Sequence, residues 1–168
     1  MPDDATRTQR LEVVFATFTR KLYLRHGNDC YTTDDYAGAA LWAPPGHGKL
    51  STRDTLRIVP GWTRAIGWRQ LLRSLRGVAS FDEVHPHEPH YYLPFVGVIP
   101  EAQGRGLGTT LIGPVLEKCD RESVPAYLEA TSADSRRCYE RVGFQTRSEE
   151  RVADDGPPFF PMWRDPQR

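Results

Sequence analysis

The sequence predicts a single α/β domain, and three observations support this fold class. The chain has 168 residues, which is enough for one hydrophobic core and few for two. Apolar residues make up 39% and charged residues 26%, as in globular proteins rather than disordered or coiled-coil chains. Patterns typical of strand, glycine-rich loop, helix, strand, helix and strand follow one another over residues 91–152. That order is typical of an α/β core.

The charge balance and the cysteine content argue against some classes of binding partner. Lys plus Arg and Asp plus Glu each number 22, so the chain has no net field that attracts nucleic acid or an anionic membrane. The three cysteines are an odd number at unequal spacings, and no apolar segment resembles a signal peptide or a membrane span. We therefore expect a soluble, cytoplasmic protein with no nucleic-acid and no membrane partner.

The first half of the chain predicts a helix, a hairpin and a second helix. Residues 1–10 are polar and are expected to be a flexible start. An amphipathic helix should follow and end near Gly27, because apolar residues recur at steps of three and four: Leu11, Val14, Phe15, Phe18 and Leu22. The runs 30–33 and 36–42 suit a hairpin. Residues 47–62 read as a loop with one short helix, and 65–78 as a second amphipathic helix.

The second half of the chain predicts the α/β core. Residues 91–99 are apolar at nearly every position, which predicts a strand buried on both faces. A helix over 107–121 should open from the glycine-rich loop and kink near Pro114. The remaining predicted elements are a strand over 124–130, a helix over 135–142 capped by Asp134 or Ser135 and ended by Gly143, and strands over 144–152 and 159–164.

The loop Gln103-Gly104-Arg105-Gly106-Leu107-Gly108 is the candidate anion site. Alternating glycines let the backbone approach an anion closely, and the N–H groups at a helix N-terminus point toward it. Arg105 can add positive charge. The same glycines also suit a tight turn that binds nothing, so the pattern alone leaves both interpretations open.

Three known anion-binding loop patterns come close to segments of this chain. A dinucleotide fingerprint needs Gly-x-Gly-x-x-Gly, and this loop is one residue too short. A nucleoside-triphosphate loop ends in Gly-Lys-Ser/Thr, but Leu50 follows Gly48-Lys49 where the hydroxyl is needed. The pattern Gln/Arg-x-x-Gly-x-Gly/Ala matches at Gln103, Gly106 and Gly108.

Four blocks in order carry a resemblance to a known family: Val96–Val98, Gln103–Gly108, Val124–Glu129 and Tyr139–Phe144. Together they resemble the catalytic core of the GNAT superfamily of acyl-CoA-dependent N-acyltransferases. Within it they are similar to puromycin N-acetyltransferase and its actinobacterial relatives. The resemblance implies a mixed, mostly antiparallel sheet flanked by helices. Because only Met1–Arg10 precede the first predicted helix, we expect an abbreviated N-terminal strand-helix unit, whose exposed sheet edge would favour a homodimer.

The resemblance also implies how acetyl-CoA binds. The backbone of Val96–Val98 would pair with the pantetheine arm, and the N–H groups of Gly104–Thr109 would hold the pyrophosphate. Ser135 stands where relatives often have an asparagine that contacts the cofactor, although its plainer role is the helix N-cap. The cofactor-binding residues so implied are Val96, Gly97, Val98, Gln103, Gly104, Arg105, Gly106, Leu107, Gly108, Thr109 and Ser135.

Two residues are the candidate catalytic pair. Tyr139 matches the family's usual acid, and a phenol of pKa about 10 stays protonated at neutral pH while it donates to a thiolate. Tyr92 stands where many relatives carry a carboxylate base, which leaves Glu129 as the best base, with His90 and Tyr91 as alternatives. The alternative interpretation is structural: Tyr139 is then a core aromatic residue, and Glu129 supports the fold.

The function implied is an N-acetyltransferase that moves an acetyl group from acetyl-CoA to a primary amine of a small molecule by direct attack. The alternative is a non-catalytic acyl-CoA-binding or regulatory protein of the same fold, and a dinucleotide-dependent oxidoreductase is a weaker third. The spacing of His85, His87 and His90 is not that of a zinc site, so we expect a solvated connector and no metal.

Overall fold

In the computed structural model the described residues are 4–21, 23–25, 29–48, 56–57, 59–63, 67–68, 79–152 and 156–167. Three helices are α1 (Asp4–Lys21), α2 (Leu107–Glu122) and α3 (Ala133–Glu140), and 3₁₀ turns cover Tyr23–Arg25 and Pro100–Ala102. Residues 59–63 and 79–84 are also helical. The helix predicted over 65–78 falls almost entirely outside the described residues. No described helix is long and apolar enough to cross a membrane.

Seven strands form one sheet in the described part of the chain. They are β1 (Cys30–Thr32), β2 (Gly38–Ala43), β3 (Tyr91–Val98), β4 (Ala126–Ala130), β5 (Gln145–Thr146), β6 (Glu150–Arg151) and β7 (Pro158–Arg164). The order is β1-β2-β3-β4-β7-β5, and β6 also pairs with β7. Strands β3 and β4 run parallel and the other pairs antiparallel. The predicted mixed, mostly antiparallel sheet flanked by helices is confirmed.

Several element boundaries differ from the prediction. Helix α1 begins at Asp4, so residues 4–10 are helical rather than the irregular start that their polar composition suggested. The strand predicted over 144–152 is two short strands, β5 and β6, which pair with β7 at different places. Helix α2 continues through Pro114. Its predicted kink stays a prediction.

The sheet buries a different cluster on each face, because successive side chains of a strand point to opposite sides. On one face the main core packs against α2 and α3, with the largest fully buried side chains being Trp42, Leu128, Met162, Val115 and Phe144. On the other face a smaller cluster joins Tyr23, Ala43 and Trp62, against which Val14 of α1 and Phe95 pack. The candidate base Glu129 belongs to this second face, since its neighbours Leu128 and Ala130 belong to the main core.

Strand β3 is less buried than its apolar sequence predicted. Tyr91 and Leu93 are buried, but the residues after them are half-buried and Gly97 is exposed. The prediction of a strand covered on both faces is therefore wrong for its second half. The cause is that β4 leaves β3 after two residues of pairing, which uncovers this part of the strand.

Candidate active site

A gap opens between β3 and β4. Strand β3 pairs with β4 only at Tyr91 and Tyr92, while its other edge stays paired with β2 as far as Val98. Beside Pro94, β3 carries one more residue than β2, which is a bulge at a position where proline has no N–H to donate. The backbone edge of Val96–Val98, predicted to bind pantetheine, therefore faces the gap and not a described strand.

The glycine-rich loop closes one end of this gap. The side-chain amide of Gln103 donates to the carbonyl of Val98 at 3.0 Å and ties the loop to the end of β3. Gly104 and Gly106 have φ of 75° and 79°, a conformation that side chains with a Cβ rarely adopt. Arg105 and both glycines are exposed. A Cβ at either glycine, or at Gly108, would meet no atom within 4 Å, so open space lies in front of the loop.

The backbone donors of this loop are free within the described structure. The N–H of Gln103 bonds to Pro100 and that of Thr110 to Gly106, but the six N–H groups of residues 104–109 between them donate to no described residue. They stand at the N-terminus of α2, whose dipole adds positive potential there. The segment from Gly104 through Leu107 to Thr109 is therefore a row of unused donors suited to an anion.

Ser135 takes part in the cap of α3 but is not its N-cap. The N-cap is Ser132, whose hydroxyl accepts from the Ser135 N–H at 3.1 Å, so the prediction of Asp134 or Ser135 is wrong by two or three residues. Ser135 occupies the third helical position and accepts from the Ser132 N–H in return, which completes a capping box. Its hydroxyl hydrogen is directed at the Ser132 carbonyl, 2.9 Å away.

Tyr139 lies on α3 and packs against the main core. Its ring meets Phe144 edge-on with 6.0 Å between centroids. Burial, and then the charge of Cys138, raise the pKa of Tyr139 to about 12, which keeps the phenol protonated over a wide pH range. Tyr139 and Glu129 stand on opposite faces of the sheet.

Glu129 lies in a buried polar cluster on the second face. Its side chain is 5% exposed. Tyr92 donates a hydrogen bond of 2.8 Å to Glu129 Oε2, and His85 Nδ1 lies 3.7 Å from Oε1. Oε1 itself and the nearby Tyr127 hydroxyl are buried and make no hydrogen bond of acceptable geometry to a described residue. One oxygen of the candidate base and the Tyr127 hydroxyl beside it are therefore without a well-formed hydrogen bond.

The histidine connector is buried at two of its three histidines. His85 and His90 are 7% and 6% exposed, while His87 is exposed, so the prediction of a solvated connector holds only for His87. The rings of Tyr92 and Tyr127 meet His85 edge-on at 4.7 and 5.1 Å between centroids. The polar, proline-rich sequence gave no signal of this contact, because partners distant in sequence supply it.

His85 and His90 do not form a recognisable metal site. Their Nε2 atoms lie 3.2 Å apart, which is hydrogen-bonding distance. Among the described residues no group of three His, Cys, Asp or Glu side chains is placed to hold a metal ion.

The two alternative bases separate in the structure. The Tyr91 hydroxyl donates to Glu122 Oε2 at 2.8 Å on the α2 side of the sheet, away from Glu129. His90 stays with the Glu129 cluster, and its ring lies tilted against the Trp163 ring with 5.6 Å between centroids. Burial lowers the pKa of His90 and outweighs the opposing effect of the Glu88 carbonyl, which favours a neutral ring.

The tyrosines around Glu129 all stay protonated at neutral pH. Burial, followed by the negative charge of Glu129, raises the pKa of Tyr92 and of Tyr127 far above the ordinary value. The pKa of Tyr23 is raised by burial, then by Cys30 and Glu129. Each phenol can therefore donate a hydrogen toward this carboxylate or toward a group bound beside it.

Known acetyltransferases are similar to this chain in sequence. Residues 55–144 match the acetyltransferase (GNAT) family. An uncharacterized N-acetyltransferase, C550.08, of Schizosaccharomyces pombe is 31% identical over 141 residues, 79% of this chain and 54% of that protein. A mycothiol acetyltransferase of Acidothermus cellulolyticus is 34% identical over 62% of this chain and 31% of its own length. The chain thus spans about half, or less, of these relatives.

Solved structures share the fold at low sequence identity. The structure of histone acetyltransferase HPA2 and related acetyltransferase from Corynebacterium glutamicum has a TM-score of 0.66 and 24% identity, covering 100% of this chain and 79% of that one. Arylalkylamine N-acetyltransferase 2 from Aedes aegypti has a TM-score of 0.57 and 16% identity, with coverages of 93% and 78%. The family match covers more than half of the sequence, and the chain belongs to the GNAT acetyltransferase family.

Proposed function

We propose that the protein transfers an acetyl group from acetyl-CoA to a primary amine of a small molecule by direct attack. The observation that carries this proposal is the row of unused N–H donors of residues 104–109 at the N-terminus of α2. The first four N–H groups of any helix lack an intrahelical partner, and here the row of unused donors extends two residues further, into the exposed glycine-rich loop.

The residues present fit acetyl-CoA in two places. The donors of Gly104–Thr109, with Arg105 beside them, suit a pyrophosphate. The free edge of Val96–Val98 suits an amide-containing arm that takes the place of the missing strand pairing. When bound, acetyl-CoA supplies the thioester whose carbonyl carbon the amine attacks.

In this proposal Glu129 accepts the proton of the amine, and Tyr139 assists the departing sulfur. As the N–C bond forms and the C–S bond breaks, one proton passes from the amine nitrogen to Glu129 Oε1, the oxygen that has no hydrogen bond. Tyr139 donates its hydroxyl hydrogen toward the departing sulfur. With a pKa of about 12 it is a weaker acid than a thiol of about 8.5, so the hydrogen bond matters more than complete transfer.

The alternative function, a non-catalytic acyl-CoA-binding or regulatory protein, rests on the abbreviated N-terminal strand-helix unit and on the absent carboxylate at Tyr92. The second ground is the weaker one, because the Tyr92 hydroxyl reaches Glu129 at 2.8 Å and a carboxylate is therefore present one side chain further on. The mycothiol acetyltransferase is named for a small-molecule acceptor, whereas the Corynebacterium glutamicum structure is named for a protein acceptor. We keep a small molecule as the proposed acceptor of the acetyl group. A cytoplasmic location and a homodimer remain predictions.

Thermal unfolding with and without acetyl-CoA tests the proposal first, with NADH and ATP as controls. At a ligand concentration of about 100 times Kd, binding stabilises the folded chain by about 2.7 kcal/mol. A shift with acetyl-CoA alone, followed by release of CoA in a panel of primary amines, supports the proposal. A shift without CoA release for any amine favours the binding protein, and no shift rejects the loop assignment.

A further inference from the structure

A chain of four contacts links Glu88 to Tyr92 through two imidazole rings. The Glu88 carbonyl lies 2.6 Å from His90 Nδ1, and His90 Nε2 lies 3.2 Å from His85 Nε2. His85 Nδ1 then lies 3.7 Å from Glu129 Oε1, and Glu129 Oε2 accepts from Tyr92 at 2.8 Å. Both ends of the chain have a fixed direction, which determines where the hydrogens in between lie.

The Glu88 end fixes the tautomer of His90. A backbone carbonyl can only accept, so His90 Nδ1 must carry a hydrogen. Burial favours the neutral ring of His90, which leaves its Nε2 as an acceptor. The hydrogen between the two rings therefore belongs to Nε2 of His85.

The contact with Glu129 bears on the other nitrogen of His85. Because Nε2 of His85 already carries a hydrogen, a neutral ring would present a bare lone pair at Nδ1 to Glu129 Oε1. Two lone pairs facing each other at 3.7 Å in a buried site repel, and Glu129 Oε1 makes no other hydrogen bond of acceptable geometry to a described residue. A hydrogen on His85 Nδ1 would remove this repulsion and give Oε1 a donor.

We propose that His85 is a positioning residue for the base: its Nδ1 hydrogen points at Glu129 Oε1 and keeps the buried carboxylate oriented. His90 holds the His85 ring in place, and Tyr92 holds the second carboxylate oxygen. The catalytic part of this inference rests on the proposed function, whereas the placement of the proton does not. The distance of 3.7 Å is that of an ion pair without a formed hydrogen bond, so Oε1 keeps a free lone pair for the amine proton.

Other titratable groups face the same cluster and must stay constant in a test. They are Tyr92 of β3, Tyr127 of β4, Tyr23 of the first 3₁₀ turn, Arg147 after β5, Glu150 of β6 and Glu88 of the connector. The three phenols are protonated at neutral pH.

Two amide variants of His85 test the contacts of its two ring nitrogens separately. In His85→Asn the amide nitrogen takes the place of Nδ1 and can donate to Glu129, while in His85→Gln it takes the place of Nε2 and can donate to His90. If His85 acts through Glu129, His85→Gln lowers kcat by about tenfold more than His85→Asn.

Equal losses in both variants would mean that His85 only fills space, and would overturn the catalytic part. Nitrogen-15 NMR of the imidazole rings of the whole wild-type chain tests the proton independently of activity, with His85→Asn to assign the signals. Hydrogens on both nitrogens of His85 and on Nδ1 alone of His90 support the inference. A His85 ring with a bare Nδ1 overturns it, even if acetyl transfer is observed.

Discussion

The hydroxyl of Tyr92 donates a hydrogen bond of 2.8 Å to the carboxylate of Glu129 at the point where β3 and β4 separate. The preceding residue makes the same kind of bond on the other face of the sheet, where the Tyr91 hydroxyl donates to Glu122 at 2.8 Å. The two bonds differ in burial, because Glu122 is exposed and the side chain of Glu129 is 5% exposed. This difference allows two matched tyrosine variants to be compared.

Tyr92→Phe should destabilise the protein more than Tyr91→Phe. Removal of the Tyr92 hydroxyl leaves a buried carboxylate oxygen without its donor, which costs about 1.5–3 kcal/mol for a bond to a charged group. In Tyr91→Phe, water replaces the lost donor at the exposed Glu122. Urea unfolding of both variants measures the difference, and equal free energies of unfolding would show that Glu129 does not depend on Tyr92.

Glu129→Gln should lower turnover while leaving acetyl-CoA binding unchanged. The amide keeps the size of the side chain but cannot take a proton from the amine, and loss of a general base lowers rates by about 10²–10⁴-fold. Glu122→Gln is the control, since its carboxylate bonds to a tyrosine in the same way on the opposite face. Steady-state CoA release with a responsive amine measures both. Full activity in Glu129→Gln would remove it from the base role.

Tyr139→Phe should lower turnover with little change in affinity for acetyl-CoA. The phenol of Tyr139 donates only as the sulfur leaves, so the loss falls on kcat. A free phenol ionises near about pH 10, but burial raises the pKa of Tyr139 to about 12, and the group therefore stays protonated up to that pH. We expect no alkaline limb from Tyr139 in the kcat profile below that pH. A limb near the ordinary pKa that Tyr139→Phe abolishes would contradict this.

Gly106→Val should abolish acetyl-CoA binding, and Gly46→Val provides a matched control. The two glycines have φ of +79° and +82°, and a Cβ at either meets nothing within 4 Å. Both variants therefore carry the same backbone strain of about 1–2 kcal/mol, while only Gly106 lies in the loop of unused donors. Thermal shift with acetyl-CoA is the measurement. Equal retention of the shift in both variants would place the pyrophosphate elsewhere.

The sequence predicted the parts of the site that local patterns encode. The glycine-rich loop with Gly104 and Gly106, the helix that begins at Leu107 and the preceding strand lie where their spacing placed them, because turn geometry and hydrophobic periodicity are local. The capping residue of α3 was missed by a few positions, since Ser132, Asp134 and Ser135 are all good N-caps and the backbone path decides among them.

The surroundings of Glu129 were not predictable from the same patterns. His85 is separated from Glu129 by 44 positions, and the polar connector around it gave the signal of an exposed loop. Its burial depends on Tyr92 and Tyr127, which the parallel pairing of β3 and β4 brings together. Likewise, the apolar sequence of β3 could not reveal that β4 leaves it, because the separation depends on a bulge beside Pro94 and on long-range pairing.

Loss of the ion pair between Asp120 of α2 and Arg164 of β7 should destabilise the protein in a pH-dependent way. Arg164 donates from both terminal nitrogens to the two Asp120 oxygens at 2.7 and 2.8 Å, and its side chain is 4% exposed. Asp120→Asn leaves this guanidinium buried without its counter-charge, which costs about 3 kcal/mol. Asp29→Asn is the control, because its pair with Lys118 is 24–32% exposed and is worth about 0–1 kcal/mol.

The pH dependence of that difference has a definite sign. The hydrogen bonds from Arg164 hold the pKa of Asp120 below its ordinary value, so the folded chain binds the proton more weakly than the unfolded one. The stabilisation by the pair is then complete above the unfolded pKa of about 4 and is lost as the pH falls through the folded value. Urea unfolding of the wild type and Asp120→Asn should show stabilities that converge on acidification. A gap of the same size at every pH would mean that Asp120 stabilises the fold without its charge.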